Sequence, residues 1–210
     1  MIEPNIILCC LAWFIFGLQH SLLARPITKR WIARVFGTVF EAHIYPVTYF
    51  VIQCIVFLAC YDAIRHLSPG VVFYQLPSEW TEPVFWLNRI ANIFLILTVF
   101  HFDIGSFTGF RQLFRLLLRK GINSDAPQPE PVLNTSYLYR FIRHPMYLGI
   151  ILVYATSTTV YSDLFFVNLM CIVAYIELGS YFEEKTLHKR FGADYAVYVS
   201  QTKRYIPFLR

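Results

Sequence analysis

Five apolar runs limit what this chain can fold into. They cover 6–23, 43–61, 84–102, 146–161 and 164–181. Each approaches the roughly 20 residues a helix needs to cross the hydrocarbon of a bilayer. Hydrophobic residues make up 57% of the 210 and charged residues 15%, with a mean hydropathy of +0.50. A soluble domain of this length carries more charge than that. The expectation is an all-α integral membrane protein, a single domain over 1–210 with five transmembrane helices.

Charge sets the orientation. Sixteen of the eighteen Lys and Arg residues fall in 25–34, 104–146 and 182–210, leaving Arg65 and Arg89. These basic stretches mark segments 24–42, 103–145 and 182–210 as cytoplasmic, with the N-terminus outside, the C-terminus inside and loop 62–83 external. The net charge of +5 borders the apolar runs and so gives no sign of nucleic-acid binding. The five cysteines (Cys9, Cys10, Cys54, Cys60, Cys171) lie within apolar runs and lack metal-ligand spacing, so no metal is expected. In 110–120, Arg111, Arg115 and Arg119 recur at i, i+4 and i+8 among Phe and Leu, the pattern of an interfacial amphipathic helix. Pro127, Pro129 and Pro131 make 122–131 a linker.

The stretch 137–149, Tyr-Leu-Tyr-Arg-Phe-Ile-Arg-His-Pro-Met-Tyr-Leu-Gly, carries the chemistry. Pro145 disfavours a helical conformation at His144 and opens a helix itself. Arg143 and His144 then sit at a helix N-terminus, where unpaired N–H groups can hold an anionic or polar ligand. A basic anchor at the lipid headgroups fits the same residues. Residues 162–163 read as the tight turn of a C-terminal helical hairpin. Counting about 1.5 Å per residue from that turn brings Arg143, His144 and Tyr147 level with Glu183 and Glu184. The carboxylates form either a cytoplasmic ligand pocket with these residues or a salt bridge that fixes the hairpin. Glu177 lies mid-span and needs a polar partner, Arg89 or another. A second polar group is expected where His20, His101, Asp103, Arg111 and Gln112 approach the cytoplasmic ends of their spans, with Glu41 at the same level. No phosphate loop, Gly-x-Gly-x-x-Gly, His-Glu-x-x-His or Gly-x-Ser-x-Gly is present.

Tyr139–Gly149, the Glu183-Glu184 pair, Phe191-Gly-Ala-Asp-Tyr195 and the tail 199–207 resemble the isoprenylcysteine carboxyl methyltransferase and phospholipid methyltransferase superfamily. The N-terminal half resembles a narrower branch, the methanethiol S-methyltransferases and their nurim-like relatives. It does so at Gln19–Pro26, Lys29-Arg-Trp31, Glu41, Tyr45, His101-Phe-Asp103 and Gly109–Gln112. The resemblance implies a multi-pass protein of the bacterial inner membrane that uses S-adenosyl-L-methionine. Carried over position by position, Tyr139, His144, Pro145, Met146, Tyr147, Gly149, Glu183 and Glu184 contact the cofactor. The backbone of Val132, Leu133 and Asn134 joins them.

The acceptor implied is a small hydrophobic thiol such as methanethiol. Alternatives are a lipid headgroup, an isoprenylcysteine carboxylate, or a non-enzymatic nurim-like role among membrane lipids. Gly179 stands where the prenylcysteine enzymes carry a substrate arginine, which argues against that carboxylate. A thiol reacts as its thiolate. His20 or His101 is the candidate proton acceptor, and Arg111 or Arg143 the source of positive field. Glu41, Asp103 and Gln112 are candidate substrate contacts.

Overall fold

The computed structural model describes residues 3–68, 70–99, 103–118, 133 and 135–206. His101, Val132, Asn134, Arg119 and the linker 122–131 lie outside the described residues. The chain divides into two compact units, each assembled from separate stretches: Met1–Ser68 with Phe102–Pro129, and Pro69–His101 with Glu130–Arg210.

In the first unit, α1 (Pro4–Ala24) packs against α3 (Tyr45–Arg65). Between them lie α2 (Pro26–Phe36) and a π-helical turn, Phe40–Ile44, that runs into α3. Prolines in the first turn start α1, α2 and α3, where a missing N–H costs nothing. The short α5 (Ile104–Thr108) is capped by Asp103, whose side chain accepts from the Ser106 N–H. Gly109 then adopts the left-handed conformation (φ 84°) that turns the chain into α6 (Phe110–Leu117). α6 is the amphipathic helix expected from 110–120, described as far as Leu117.

In the second unit, α4 (Thr81–Val99) packs on α7 (Pro145–Ala155), and α8 (Asp163–Phe191) packs on α7 and on α9 (Ala193–Gln201). Strands β1 (Val72–Gln75) and β2 (Val160–Ser162) pair antiparallel.

Among the described residues, four helices are long and apolar enough to cross a membrane: Pro4–Ala24, Phe40–Arg65, Ser78–Val99 and Asp163–Phe191. Their outer faces expose Phe14, Ile55, Leu58 and Ile90. The helix expected over 146–161 is shorter than the apolar run that announced it. It stops at Ala155 because Thr156 turns its hydroxyl back onto the Leu152 carbonyl (2.7 Å) and Ser157 onto that of Tyr154 (2.7 Å). The β-branched Thr158-Thr159-Val160 that follows suits an extended chain. Seven residues, including β2, therefore separate α7 from α8, where a two-residue turn was expected. Ser162 ends the strand and caps α8, its hydroxyl accepting from the Phe165 N–H (3.2 Å).

Gly149 lets α7 approach α4 closely. A Cβ there would stand 3.2 Å from the Leu95 Cα and 3.1 Å from its Cδ1. Backbone cannot yield as a flexible side chain can. Gly149→Ala is expected to cost about 1–3 kcal/mol by overpacking. A lowered melting temperature in detergent checks this, and an unchanged one contradicts it.

Candidate functional site

Three stretches of the second unit meet at His144. The first is the start of α7, where Pro145 opens the helix and His144 is left as its N-cap at φ −124°, ψ 62°. The second is the distal part of α8. At about 1.5 Å per residue, 29 residues span about 43 Å, so α8 is longer than a ~30 Å hydrocarbon core, and Glu183 and Glu184 lie about 30 Å along it from Asp163. The third is the tail after α9, which runs alongside residues 142–144 as a single parallel bridge. The N–H of Arg143 donates to the Lys203 carbonyl (2.7 Å) and that of His144 to the Arg204 carbonyl (3.0 Å).

The two carboxylates are treated differently. Glu184 is occupied by protein partners. Its Oε1 accepts from Arg143 Nε (2.9 Å) and lies 3.0 Å from His144 Nε2, with Arg204 Nε at 3.7 Å. Arg143 in turn donates through Nη1 to the Thr202 carbonyl (2.6 Å). Among the described residues, Glu183 has one short partner, the Tyr147 hydroxyl, which donates to Oε2 at 2.9 Å. His144 Nδ1 stands 3.7 Å from that oxygen, too far for a hydrogen bond. The Glu183 side chain is 44% exposed against 20% for Glu184. Glu183 is therefore the carboxylate with capacity left for a cationic ligand.

The aromatic rings organise the same place. Tyr147 stacks on His144, with centroids 5.2 Å apart and planes 15° apart. Tyr205 flanks the other ring contact of His144 at 5.8 Å. Tyr139 lies in a 3₁₀ turn, Tyr137–Arg140, and its carbonyl accepts from the Tyr198 hydroxyl (2.7 Å). Burial and the nearby Glu183 push the Tyr139 phenol well above its usual range, so it remains a hydrogen-bond donor at neutral pH. Burial also holds the His144 imidazole below its ordinary value, although Glu183 and Glu184 pull the other way. A neutral ring with its proton on Nε2 donates to Glu184 and leaves Nδ1 facing Glu183.

Of the other expected residues, Pro145 is fully buried, Gly149 faces α4, and Met146 and Leu133 are half-buried. Glu177 pairs with Arg204 (2.8 Å) and not with Arg89. In the first unit, Asp103 forms an ion pair with Arg111 (2.5 Å), and Gln112 donates to the Ser106 carbonyl (3.1 Å). These three gather at the corner between α5 and α6. His20 sits between α1 and α3, with Nδ1 3.2 Å from Gln53 Oε1 and 3.1 Å from the Tyr49 hydroxyl. Glu41 lines an open cavity of about 240 Å³ with Pro26, Lys29, Arg30 and Ala33. Among the described residues, no group of three His, Cys, Asp or Glu is placed to hold a metal ion.

Ser180, Arg204 and Tyr205 were not expected at the site. Ser180 shares a 2.7 Å hydrogen bond with the Tyr205 hydroxyl and accepts one from Arg204 Nη2 (2.8 Å). A serine mid-helix and an Arg-Tyr pair in a tail carry no spacing signal of their own.

Curated relatives carry one name. The chain is 28% identical over 197 residues to methanethiol S-methyltransferase 2 of Bradyrhizobium diazoefficiens, covering 93% of this chain and 70% of the relative. It is 29% identical over 203 residues to the methanethiol S-methyltransferase of Pseudomonas deceptionensis, covering 93% and 70%. It is 26% identical over 199 residues to that of Mycobacterium tuberculosis, covering 92% and 75%. No family model matches the chain, and no solved structure does. These relatives are named as methyltransferases, and the described residues of this chain include helices long and apolar enough to cross a membrane. Within that class, the relatives fall in the methanethiol branch that the N-terminal half resembles.

Two outcomes follow for the site. Glu184→Gln strands the mostly buried Arg143 guanidinium and is expected to destabilise the second unit by about 1–3 kcal/mol, less than a fully buried pair because both groups keep some water. Glu183→Gln is expected to change stability by about 0.5 kcal/mol or less. Thermal melts of the two variants in the same detergent check the contrast, and equal losses contradict it.

The second outcome concerns pH. The unfolded chain takes up a proton on His144 near pH 6.5, where the folded chain resists doing so. The unfolded state then binds more protons, so this contribution is intact above about 6.5 and declines as pH falls below it. His144→Asn is expected to flatten the acid side of a melting-temperature profile, and an unchanged slope contradicts it.

Proposed function

We propose that this protein is an integral membrane methyltransferase that uses S-adenosyl-L-methionine and methylates a small thiol such as methanethiol. One observation carries the reading: Glu183 stands with a single short hydrogen bond beside His144 and Tyr147, in a chain whose curated relatives are named for methanethiol S-methylation. The residues fit the cofactor. Its sulfonium and ammonium are cations and suit an open carboxylate. Stacked faces at Tyr147 and His144 suit an adenine ring, and the Tyr139 phenol remains a donor at neutral pH. When bound, the cofactor supplies a methyl group already activated on sulfur, so the leaving group needs no protonation and the one proton to move is the acceptor's.

The protein's part is positioning. A nucleophile held in line about 3 Å from the methyl gains most of its rate from orientation. Glu184 fixes His144 and Arg143, and these fix the entry to α7. Tyr147, one turn further on, then presents Glu183 at a constant height. The acceptor must lose its S–H proton. His20 and His101 are the candidate proton acceptors, and His20 is held by Gln53 and Tyr49. The distribution of basic segments supports a cytoplasmic C-terminus and cofactor entrance, with the N-terminus outside.

Purified protein given methyl-labelled cofactor and methanethiol is expected to release labelled dimethyl sulfide, read by gas chromatography. His20→Asn is expected to lower that rate by about 10²-fold or more without changing cofactor affinity. Cofactor binding with no transfer to any thiol would overturn the assignment of the acceptor.

A further inference from the structure

Arg204 has no role in the reading above, yet its guanidinium holds more of the site together than any other side chain in the tail. Nη1 donates to Glu177 Oε2 (2.8 Å) and Nη2 to Ser180 Oγ (2.8 Å). These two partners lie three residues apart on one face of α8. Nε is buried without a hydrogen bond, and Glu184 Oε1 stands 3.7 Å away. The Arg204 backbone carbonyl accepts from the His144 N–H, and its neighbour Tyr205 bonds to the same Ser180 hydroxyl and packs on the His144 ring. One residue therefore links the face of α8 to the backbone of the histidine at the start of α7.

We propose that Arg204 is a positioning residue for the cofactor site: by anchoring segment 203–205 to Glu177 and Ser180 and placing positive charge beside Glu184, it keeps Glu184 committed to His144 and Arg143 and leaves Glu183 for the ligand. The proposal rests on the cofactor reading of the site. It deepens that reading by assigning the selection between the two adjacent carboxylates to a side chain of the tail, for which the sequence implied no role of its own.

The charged and titratable groups around the His144 ring are Glu183 and Glu184 from α8, Arg143 before α7, Tyr147 on α7, and Arg204 and Tyr205 from the tail. Two carboxylates favour a protonated ring, and Arg204 disfavours it. If Arg204 is lost, His144 takes its second proton at a higher pH. Nδ1 then donates toward Glu183 and competes with the cationic ligand for that carboxylate. Cofactor affinity consequently falls on the acid side, and it falls sooner without Arg204.

The test is a histidine NMR titration of the full chain in detergent, with His144 assigned through His144→Asn, run beside calorimetric titrations with S-adenosyl-L-methionine from pH 5 to 8. Arg204→Gln is expected to raise the His144 midpoint and to weaken cofactor binding about tenfold at pH 6, less at pH 8. Arg204→Lys keeps the charge and is expected to restore the midpoint, although a shorter, single-headed group does not span both α8 partners. Glu177→Gln removes the anchor at a half-exposed position. It is expected to weaken binding in the same direction by a smaller factor, which keeps the test open if Arg204→Gln does not fold.

A purely structural Arg204 would lower the melting temperature and leave the midpoint and affinity of the folded protein unchanged; that result overturns the proposal. So does a Glu177→Gln protein within twofold of wild type where Arg204→Gln cannot be purified. Failure of wild type to bind the cofactor at every pH removes the cofactor reading and this assignment with it. Normal binding with an unmoved midpoint removes the assignment alone.

Discussion

A single carboxylate oxygen holds the functional end of the second unit together. Glu184 Oε1 accepts from Arg143, bonds to His144 and lies within ion-pair distance of Arg204. These partners come from two segments that are distant in sequence from α8 and from each other. Each has its own backbone tether as well, through the parallel bridge between 142 and 203. A charge this far out of water is costly unless its hydrogen bonds are satisfied. Glu184 meets that condition with cations on more than one side, which fixes the geometry of everything attached to them.

That arrangement explains why adjacent, chemically identical residues do different work. Successive positions on a helix point about 100° apart, so Glu183 and Glu184 meet different surroundings. Glu184 turns toward the tail and the α7 entry. Glu183 turns toward Tyr147 and solvent. The protein's own cations surround the first, and the second stays half-exposed with the Tyr147 hydroxyl beside it. Desolvation does the rest: His144 is buried enough to stay neutral beside two carboxylates, and a neutral ring with its proton on Nε2 commits to Glu184 alone.

Much of this was legible in the chain, though for partly different reasons. The levelling of His144 with Glu183 and Glu184 came from counting helical residues across an assumed hairpin. The helix counted on ends at Ala155, because Thr156 and Ser157 bond back to the preceding turn. Seven residues, the last three of them the strand Val160–Ser162, stand in place of the missing turns of helix. Apolar content alone could not reveal that change of period, since Val160 and Tyr161 suit either structure. The four long spans, the Pro145 helix start and the basic face of α6 were readable because each is a local signal. Arg204, Ser180 and Tyr205 were not. Their importance lies in a meeting of α8 with a tail some 25 residues later, and neither partner looks unusual by itself. In the first unit, the expected grouping of polar residues resolves into an Asp103–Arg111–Gln112 corner, a His20–Gln53–Tyr49 cluster and the cavity beside Glu41.

The central claim is that Glu183 is the carboxylate held open for the cofactor and Glu184 the one that shapes its surroundings. Calorimetric titration of S-adenosyl-L-methionine into wild type and Glu183→Gln at pH 7.5 tests it most directly. The account predicts saturable one-to-one binding to wild type and at least about tenfold weaker binding to the variant, as expected on losing a charge-assisted contact, at an unchanged melting temperature. Equal affinity for the two proteins, or no binding to wild type, would contradict it.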